Sequence, residues 1–82
     1  MSDLPSRLGR SIKQLRHARG ITQQELANKA GLHRTYVSDI ERGSRNPSLT
    51  SLERVAAALV ISLSEIFKHA EPPNAGPADA SL

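Results

Sequence analysis

Apolar side chains recur at helical spacing along most of the chain, and this pattern predicts five short helices and no strand. In the first segment Leu8, Ile12 and Leu15 lie at positions i, i+4 and i+7, so they share one face of a helix over residues 6–19. Gly20 follows this segment and is expected to end the helix.

Capping residues mark the other helix boundaries. Thr22 and Glu25 have the spacing of a capping box, in which each side chain binds a backbone N–H of the other residue. This box predicts a helix over residues 22–30, which Gly31 ends. Three further helices are expected: over residues 34–42, closed by Gly43; after Asn46-Pro47, with Ser48 as N-cap; and from Ser62, where Ser62 and Glu65 form a second capping box.

The last twelve residues, EPPNAGPADASL, hold little apolar surface and three prolines. Such a segment cannot bury enough area to offset the entropy lost on ordering. We therefore divide the chain into an N-terminal arm (residues 1–5), a helical domain (residues 6–70) and a disordered C-terminal tail (residues 71–82).

Composition limits the chemistry that this domain can perform. The chain has 82 residues, which allows one small core, and it has no cysteine, so disulfides, cysteine-ligated zinc and a thiol nucleophile are excluded. Its basic residues are concentrated in the first half: residues 4–50 contain nine basic and three acidic residues, whereas residues 51–82 contain two and four. This asymmetry favours a polyanionic partner for the first half of the chain.

The second and third helices have the pattern of a helix-turn-helix. A short turn, Gly31-Leu32-His33, joins them, and Ala27 is small enough for the two helices to cross closely. Val37 and Ile40 on the third helix are expected to pack against the second. In this motif the second helix of the pair enters the major groove of DNA.

The opposite arc of the third helix is polar and is expected to face outward. Short hydrogen-bonding side chains allow a helix to lie deep in a groove, and arginine binds guanine with about 1–3 kcal/mol of discrimination. Arg34 is placed in the first helical turn, where a cation is unfavourable because it opposes the helix dipole. An unfavourable residue at an exposed position is typical of a functional site. The outward arc consists of Arg34, Thr35, Ser38, Asp39 and Arg42.

Residues 8–67 resemble the lambda-repressor-like, XRE-type helix-turn-helix family. The stretches that carry the resemblance are ITQQELANKAGLHRTYVSDIERGSRNPSLTSLERVAAAL and SLSEIF. The run RTYVSDIERGSRNPS is similar to the controller proteins of restriction–modification systems, although many stand-alone regulators share it. The resemblance implies an all-α, five-helix lambda-repressor-like DNA-binding domain with a helix-turn-helix.

The resemblance also implies a role for each matching residue. Gln23 would contact a DNA phosphate, and Arg16 and Glu41 would form a buried ion pair. Tyr36 would either contact DNA or pack in the core, and both alternatives stay open. Base edges would be contacted by Arg34, Thr35, Ser38 and Asp39, and the DNA backbone by Arg42, Ser44, Arg45 and Asn46.

Two residues depart from the family pattern. Val60 stands where the family usually has a glycine, and a β-branched residue resists a positive φ, so we expect the chain to close differently before Ser62. His33 stands where the family usually has an N-cap residue with a side-chain oxygen, so it is either a weaker cap or a pH-dependent charge near DNA.

One short helix reads few base pairs, so we expect a homodimer that places two recognition helices about 34 Å apart on a palindromic operator. More apolar residues lie near the end of the chain than one small core needs. The predicted dimer interface is formed by Val60, Ile61, Leu63, Ile66 and Phe67.

The function predicted from the sequence is therefore that of a sequence-specific transcriptional regulator that binds double-stranded DNA. We expect a cytoplasmic protein that is not an enzyme, with no cofactor, metal, membrane or small-molecule ligand, because its three histidines lack metal-ligand spacing and no phosphate loop is present. The alternative is an antitoxin or protein-interaction module that uses the same fold.

Overall fold

A computed structural model describes residues 3–71, which fold into five helices without a strand. The helices are α1 (Leu4–Ala18), α2 (Gln23–Ala30), α3 (Arg34–Arg42), α4 (Leu49–Leu59) and α5 (Leu63–Ala70). The all-α, five-helix prediction is confirmed. The predicted disordered tail falls on residues that lie, apart from Glu71, outside the described part of the chain.

The first helix begins two residues earlier than predicted, so the assignment of residues 1–5 to an arm is wrong for Leu4 and Pro5. The Asp3 carboxylate accepts a hydrogen bond from the Ser6 backbone N–H at 2.7 Å, and it caps α1. Pro5 lies in the first turn, where its missing N–H would have had no partner within the helix.

The middle helices have the predicted caps. Thr22 and Glu25 form both hydrogen bonds of the capping box on α2, at 2.8 and 3.0 Å. Ser48 caps α4 through a 3.0 Å bond from the Ser51 N–H. Of the second predicted box only the Ser62 bond forms, because the Glu65 carboxylate lies 3.3 Å from His69 Nε2 instead of reaching back.

Val60 adopts the left-handed conformation that its branched side chain disfavours, with φ +58° and ψ +46°. The expectation that the chain would close differently here is therefore wrong. The Val60 N–H bonds the Ala57 carbonyl at 3.1 Å and the Ile61 N–H bonds the Ala56 carbonyl at 3.0 Å, so the end of α4 is satisfied as a glycine would satisfy it. The conformation brings Ile61 against the core.

All five helices enclose the core: α1 packs on α3 and α5, α2 packs on α3 and α4, and α4 contacts α5. Its centre is aliphatic and includes Ile12, Leu26, Ile40, Leu59 and Ile66, all at most 1% exposed. Polar contacts join the first helix to the last: Ser11 Oγ donates to the Ile66 carbonyl at 2.8 Å, and Arg7 Nε donates to the Ala70 carbonyl at 3.0 Å.

Gly9 allows α1 to lie directly on the backbone of α3. A Cβ placed on Gly9 would lie 2.2 Å from the Ile40 carbonyl oxygen and 2.7 Å from that of Glu41. The position of α3 relative to the rest of the domain therefore depends on the absence of a side chain at residue 9.

Candidate nucleic-acid interface

A glycine in the left-handed conformation ends α2 and begins the turn to α3. Gly31 has φ +70°, and the N–H of the next residue, Leu32, donates to the Ala27 carbonyl at 2.9 Å. Ala27 is fully buried, as expected of a small residue where two helices cross. The turn fixes α3 against α2 in a helix-turn-helix arrangement.

The two arcs of α3 separate as the sequence predicts. Val37 and Ile40 are buried, and the N-cap residue His33 makes no capping hydrogen bond through its side chain, which agrees with a weak cap. The outer arc consists of exposed Arg34, Thr35 and Arg42, with Ser38 and Asp39 half-buried beside them. This polar edge is therefore open to a partner in the monomer.

Asp39 connects the end of α3 to the loop that follows it. Its carboxylate pairs closely with Arg42 Nη2 and lies 3.9 Å from Arg45 Nε. Arg42 Nη1 also donates to Ser38 Oγ at 2.9 Å. Both arginines keep more than half of their side-chain surface exposed.

Tyr36 belongs to both the core and the surface, so the structure accommodates either of its two predicted roles. Its half-buried ring packs against the hydrophobic core, and its hydroxyl accepts a hydrogen bond from the Ser48 N–H at 3.3 Å. The Arg45 guanidinium lies 5.0 Å from the ring centroid, which is within cation–π range. Burial raises the pKa of the phenol. Hydrogen bonds with Ser51 and Ser48 and the charge of Arg45 together lower it by more, so the pKa of Tyr36 lies below its ordinary value.

The loop after α3 brings together three residues that were predicted to contact the DNA backbone. Ser44, Arg45 and Asn46 are all exposed. The Ser44 N–H and hydroxyl both bond the Asp39 carbonyl, at 3.0 and 3.2 Å, which fixes the start of this loop. Gly43 has φ +78° and lies against the backbone of Ser6, so the loop also packs on α1.

The predicted ion pair between Arg16 and Glu41 is present and buried. Arg16 Nε lies 2.7 Å from Glu41 Oε2, and Arg16 Nη2 lies 3.0 Å from Oε1. The third guanidinium nitrogen is bonded as well, because Arg16 Nη1 donates to the Ile21 carbonyl at 2.8 Å. Gln23 Nε2 donates to Glu41 Oε1 at 3.0 Å, so the residue predicted to contact phosphate is positioned by the same pair.

An open cleft of about 560 Å³ brings Gln23 and Arg34 to one surface. The end of α1 and the start of α2 form its walls, with Arg16, His17 and Thr22 among the lining residues. The two predicted DNA contacts at the start of α2 and the start of α3 therefore line the same depression.

The predicted dimer residues divide into exposed and buried members. Val60 is 73% exposed, and Ile61, Leu63 and Phe67 are half-buried against the core. Ile66 is 0% exposed, so its assignment to a dimer interface is wrong. The sequence shows that Ile66 is an apolar residue of the last helix, but only the packing shows that the core covers it completely.

Sequence reasoning did not assign roles to Gly9 and Ser48 at this site. Gly9 permits the close approach of α3, and Ser48 holds the Tyr36 hydroxyl. A glycine inside a predicted helix was a usable signal, since it weakens the helix unless close packing requires it. The Ser48 contact had no local signal, because it joins residues twelve positions apart.

Within residues 3–71 no three histidine or acidic side chains are grouped as metal ligands would be. No helix in that part of the chain has the length and apolar character needed to cross a membrane.

Comparison with known proteins identifies the fold. A helix-turn-helix family model matches residues 12–66. The control protein C.MunI of Mycoplasma sp is 43% identical over 72 residues, which cover 87% of this chain and 97% of that protein. The immunity repressor protein of Bacillus phage phi105 is 52% identical over 59 residues, which cover 72% of this chain but only 41% of the repressor.

A solved structure shows the same architecture. The restriction–modification controller protein C.Esp1396I, determined as a tetramer in complex with its natural 35 base-pair operator, superposes with a TM-score of 0.77. Its sequence identity to this chain is 41%, and the match covers 85% of this chain and 92% of that one. The chain therefore belongs to the helix-turn-helix family, in the XRE-type group that includes the controller proteins.

Proposed function

We propose that this chain is a sequence-specific transcriptional regulator that binds a palindromic DNA operator as a homodimer. The observation that carries the proposal is the outer arc of α3, where Arg34 and Thr35 are exposed beside the exposed loop of Ser44, Arg45 and Asn46. The core of the monomer does not cover this edge. The controller protein solved with its operator supports the same use of the fold.

The two parts of the surface suit two kinds of contact. Short side chains and arginines on α3 match base edges in the major groove. The loop carries Arg45, whose guanidinium can bind a phosphate. Gln23 is the first residue of α2, where the helix dipole favours an anion such as a phosphate. Base contacts then supply sequence preference, while phosphate contacts supply affinity and register.

The homodimer is supported by the apolar surface at the end of α4 and the start of α5. Val60 is exposed there, and the half-buried side chains of Ile61, Leu63 and Phe67 lie around it. A two-fold contact through this surface would bury the apolar residues of both copies. We place this activity in the cytoplasm, and we propose binding without catalysis, as for the regulators to which the chain is similar.

The testing experiment is selection from random duplexes, followed by footprinting of the wild-type chain on the selected site. The expected result is two related half-sites about 34 Å apart, with two chains bound per site. A folded chain that selected no sequence would contradict the proposal and favour the alternative of a protein-interaction module.

Two variants separate the proposed roles. Arg34→Ala is expected to weaken the selected site by about 1–3 kcal/mol and barely change binding to a shuffled duplex. Arg45→Ala is expected to weaken both duplexes alike and to reduce the salt slope by about 0.9. Lys68→Ala, on α5, removes one cation away from α3 and serves as the control. Identical behaviour of Arg34→Ala and Arg45→Ala would contradict the division of roles.

A further inference from the structure

The outer surface of α3 and the loop after it carry one carboxylate, that of Asp39. Between residues 34 and 46 the acidic residues are Asp39 and Glu41, and Glu41 is buried against Arg16. Asp39 therefore lies alone among the cations that would face DNA. An anion at a surface built for a polyanion opposes binding, so its presence needs a physical reason.

Asp39 holds the two arginines nearest to it. Arg42 is fixed by Asp39 Oδ1 and by Ser38 Oγ, and Arg45 Nε lies 3.9 Å from Asp39 Oδ2. The Asp39 side chain is only 20% exposed, whereas those of Arg42 and Arg45 are 64% and 54% exposed. We call this set of three side chains the Asp39 clamp.

The clamp must open when an arginine transfers to a phosphate. A guanidinium that moves to phosphate leaves the carboxylate unpaired, close to a like charge and partly removed from water. On an unrelated sequence nothing compensates for this loss. On a suitable sequence a cytosine N4 or adenine N6 amino group donates to the carboxylate, because the same residue lies on the arc that faces base edges.

We infer that Asp39 is a specificity-determining residue that acts mainly by weakening binding to the wrong DNA. The inference rests on the proposed function and adds to it a repulsive element within the recognition surface. Specificity is a difference between two affinities, so a group that penalises the wrong partner raises it as effectively as a new attractive contact.

The test compares the selected duplex with a shuffled duplex of the same length and composition, using the full chain and a range of salt concentrations. Asp39→Asn and Asp39→Ala both remove the charge. Each is expected to bind the shuffled duplex about 10-fold more tightly, with the salt slope steeper by about 0.9–1.8, as one or two arginines become free for phosphate. The preference for the selected duplex is expected to fall about 10-fold or more.

The control is Glu53→Gln, which makes the same change in net charge on the exposed face of α4. It is expected to leave the preference unchanged and to raise both affinities slightly. Thermal unfolding of each variant checks the fold, which should persist because both arginines that Asp39 pairs with are more than half exposed and gain little stability from the pairs.

Each outcome decides the inference. A loss of preference that occurs in the Asp39 variants and not in Glu53→Gln supports it. Equal changes on both duplexes, or a weaker affinity for the shuffled duplex, would show that Asp39 only organises its neighbours and would overturn it. If the wild type itself shows no preference between duplexes, the proposed function fails and the inference fails with it.

Discussion

Replacing Gly9 by alanine tests whether the close contact between α1 and α3 positions the recognition helix. Helix propensity alone predicts that the change stabilises α1 by about 0.8–1 kcal/mol. The structure predicts the opposite, because the added Cβ would lie 2.2 Å from the Ile40 carbonyl oxygen. The sign of the change in stability therefore separates a local explanation from a tertiary one.

The magnitude follows from the distance that the helices must move. A carbon–oxygen contact is ordinarily about 3.3–3.6 Å, so α1 and α3 would separate by roughly 1 Å. Overpacking of this kind typically costs about 1–3 kcal/mol, and occasionally more. The same shift would lengthen the 2.7 Å contact between Arg16 and Glu41, which strains a buried ion pair. We expect the free energy of unfolding to fall by about 2 kcal/mol.

Urea unfolding followed by circular dichroism measures the effect, and a loss of about 2 kcal/mol corresponds to a melting temperature lower by about 8–16 °C. Gly20→Ala is the matched control, because a Cβ there meets no atom within 4 Å although φ is +69°. Its free energy of unfolding is expected to fall only by the cost of a left-handed alanine, about 1–2 kcal/mol, and its DNA binding is expected to stay unchanged. Equal or greater stability of Gly9→Ala would refute the reasoning.

Three other changes test separate parts of the structure. Val60→Asn should raise the free energy of unfolding by about 1 kcal/mol, because asparagine tolerates the left-handed conformation better than valine; an unchanged urea midpoint at a concentration where the chain is monomeric would contradict this. Val60→Asp should shift the dimer toward monomer at micromolar concentration, since it places a charge in the proposed apolar contact, and an unchanged sedimentation profile would exclude Val60 from the interface. Glu41→Gln should destabilise the fold by about 3–5 kcal/mol by leaving Arg16 buried without its counter-charge. The double variant Arg16→Met/Glu41→Leu should recover much of that loss, and a double variant as unstable as the single one would argue against this cause.

Helix boundaries set by neighbouring residues could be predicted from the sequence. Gly31 and Gly43 end α2 and α3 where predicted, and Thr22 and Ser48 cap the helices that follow them. These signals act over three or four residues, so they need no knowledge of the fold. The start of α1 was missed although Asp3 gave a local signal of the same kind, an N-cap residue followed by a proline.

Features that depend on tertiary packing could not be predicted. Val60 was expected to avoid a positive φ, but the docking of Ile61 and the carbonyls at the end of α4 impose it. The Gln23 side chain meets Glu41, eighteen residues away, and no local pattern indicates that contact. Ile66 was assigned to the dimer interface because periodicity shows on which face of a helix a residue lies. Periodicity does not show how completely neighbouring helices cover that face.

The arrangement of α3 separates the residues that fold the domain from those proposed to bind DNA. Three contacts fix its inner arc to the rest of the domain. Gly9 of α1 packs on the backbone at Ile40, Glu41 pairs with Arg16, and the Tyr36 hydroxyl accepts the Ser48 N–H. Exposed residues of the outer arc contribute little to these contacts, and Arg34 in the first turn even opposes the helix dipole. Substitutions on the outer arc should therefore change DNA preference without a loss of stability, whereas those on the inner arc should change both together.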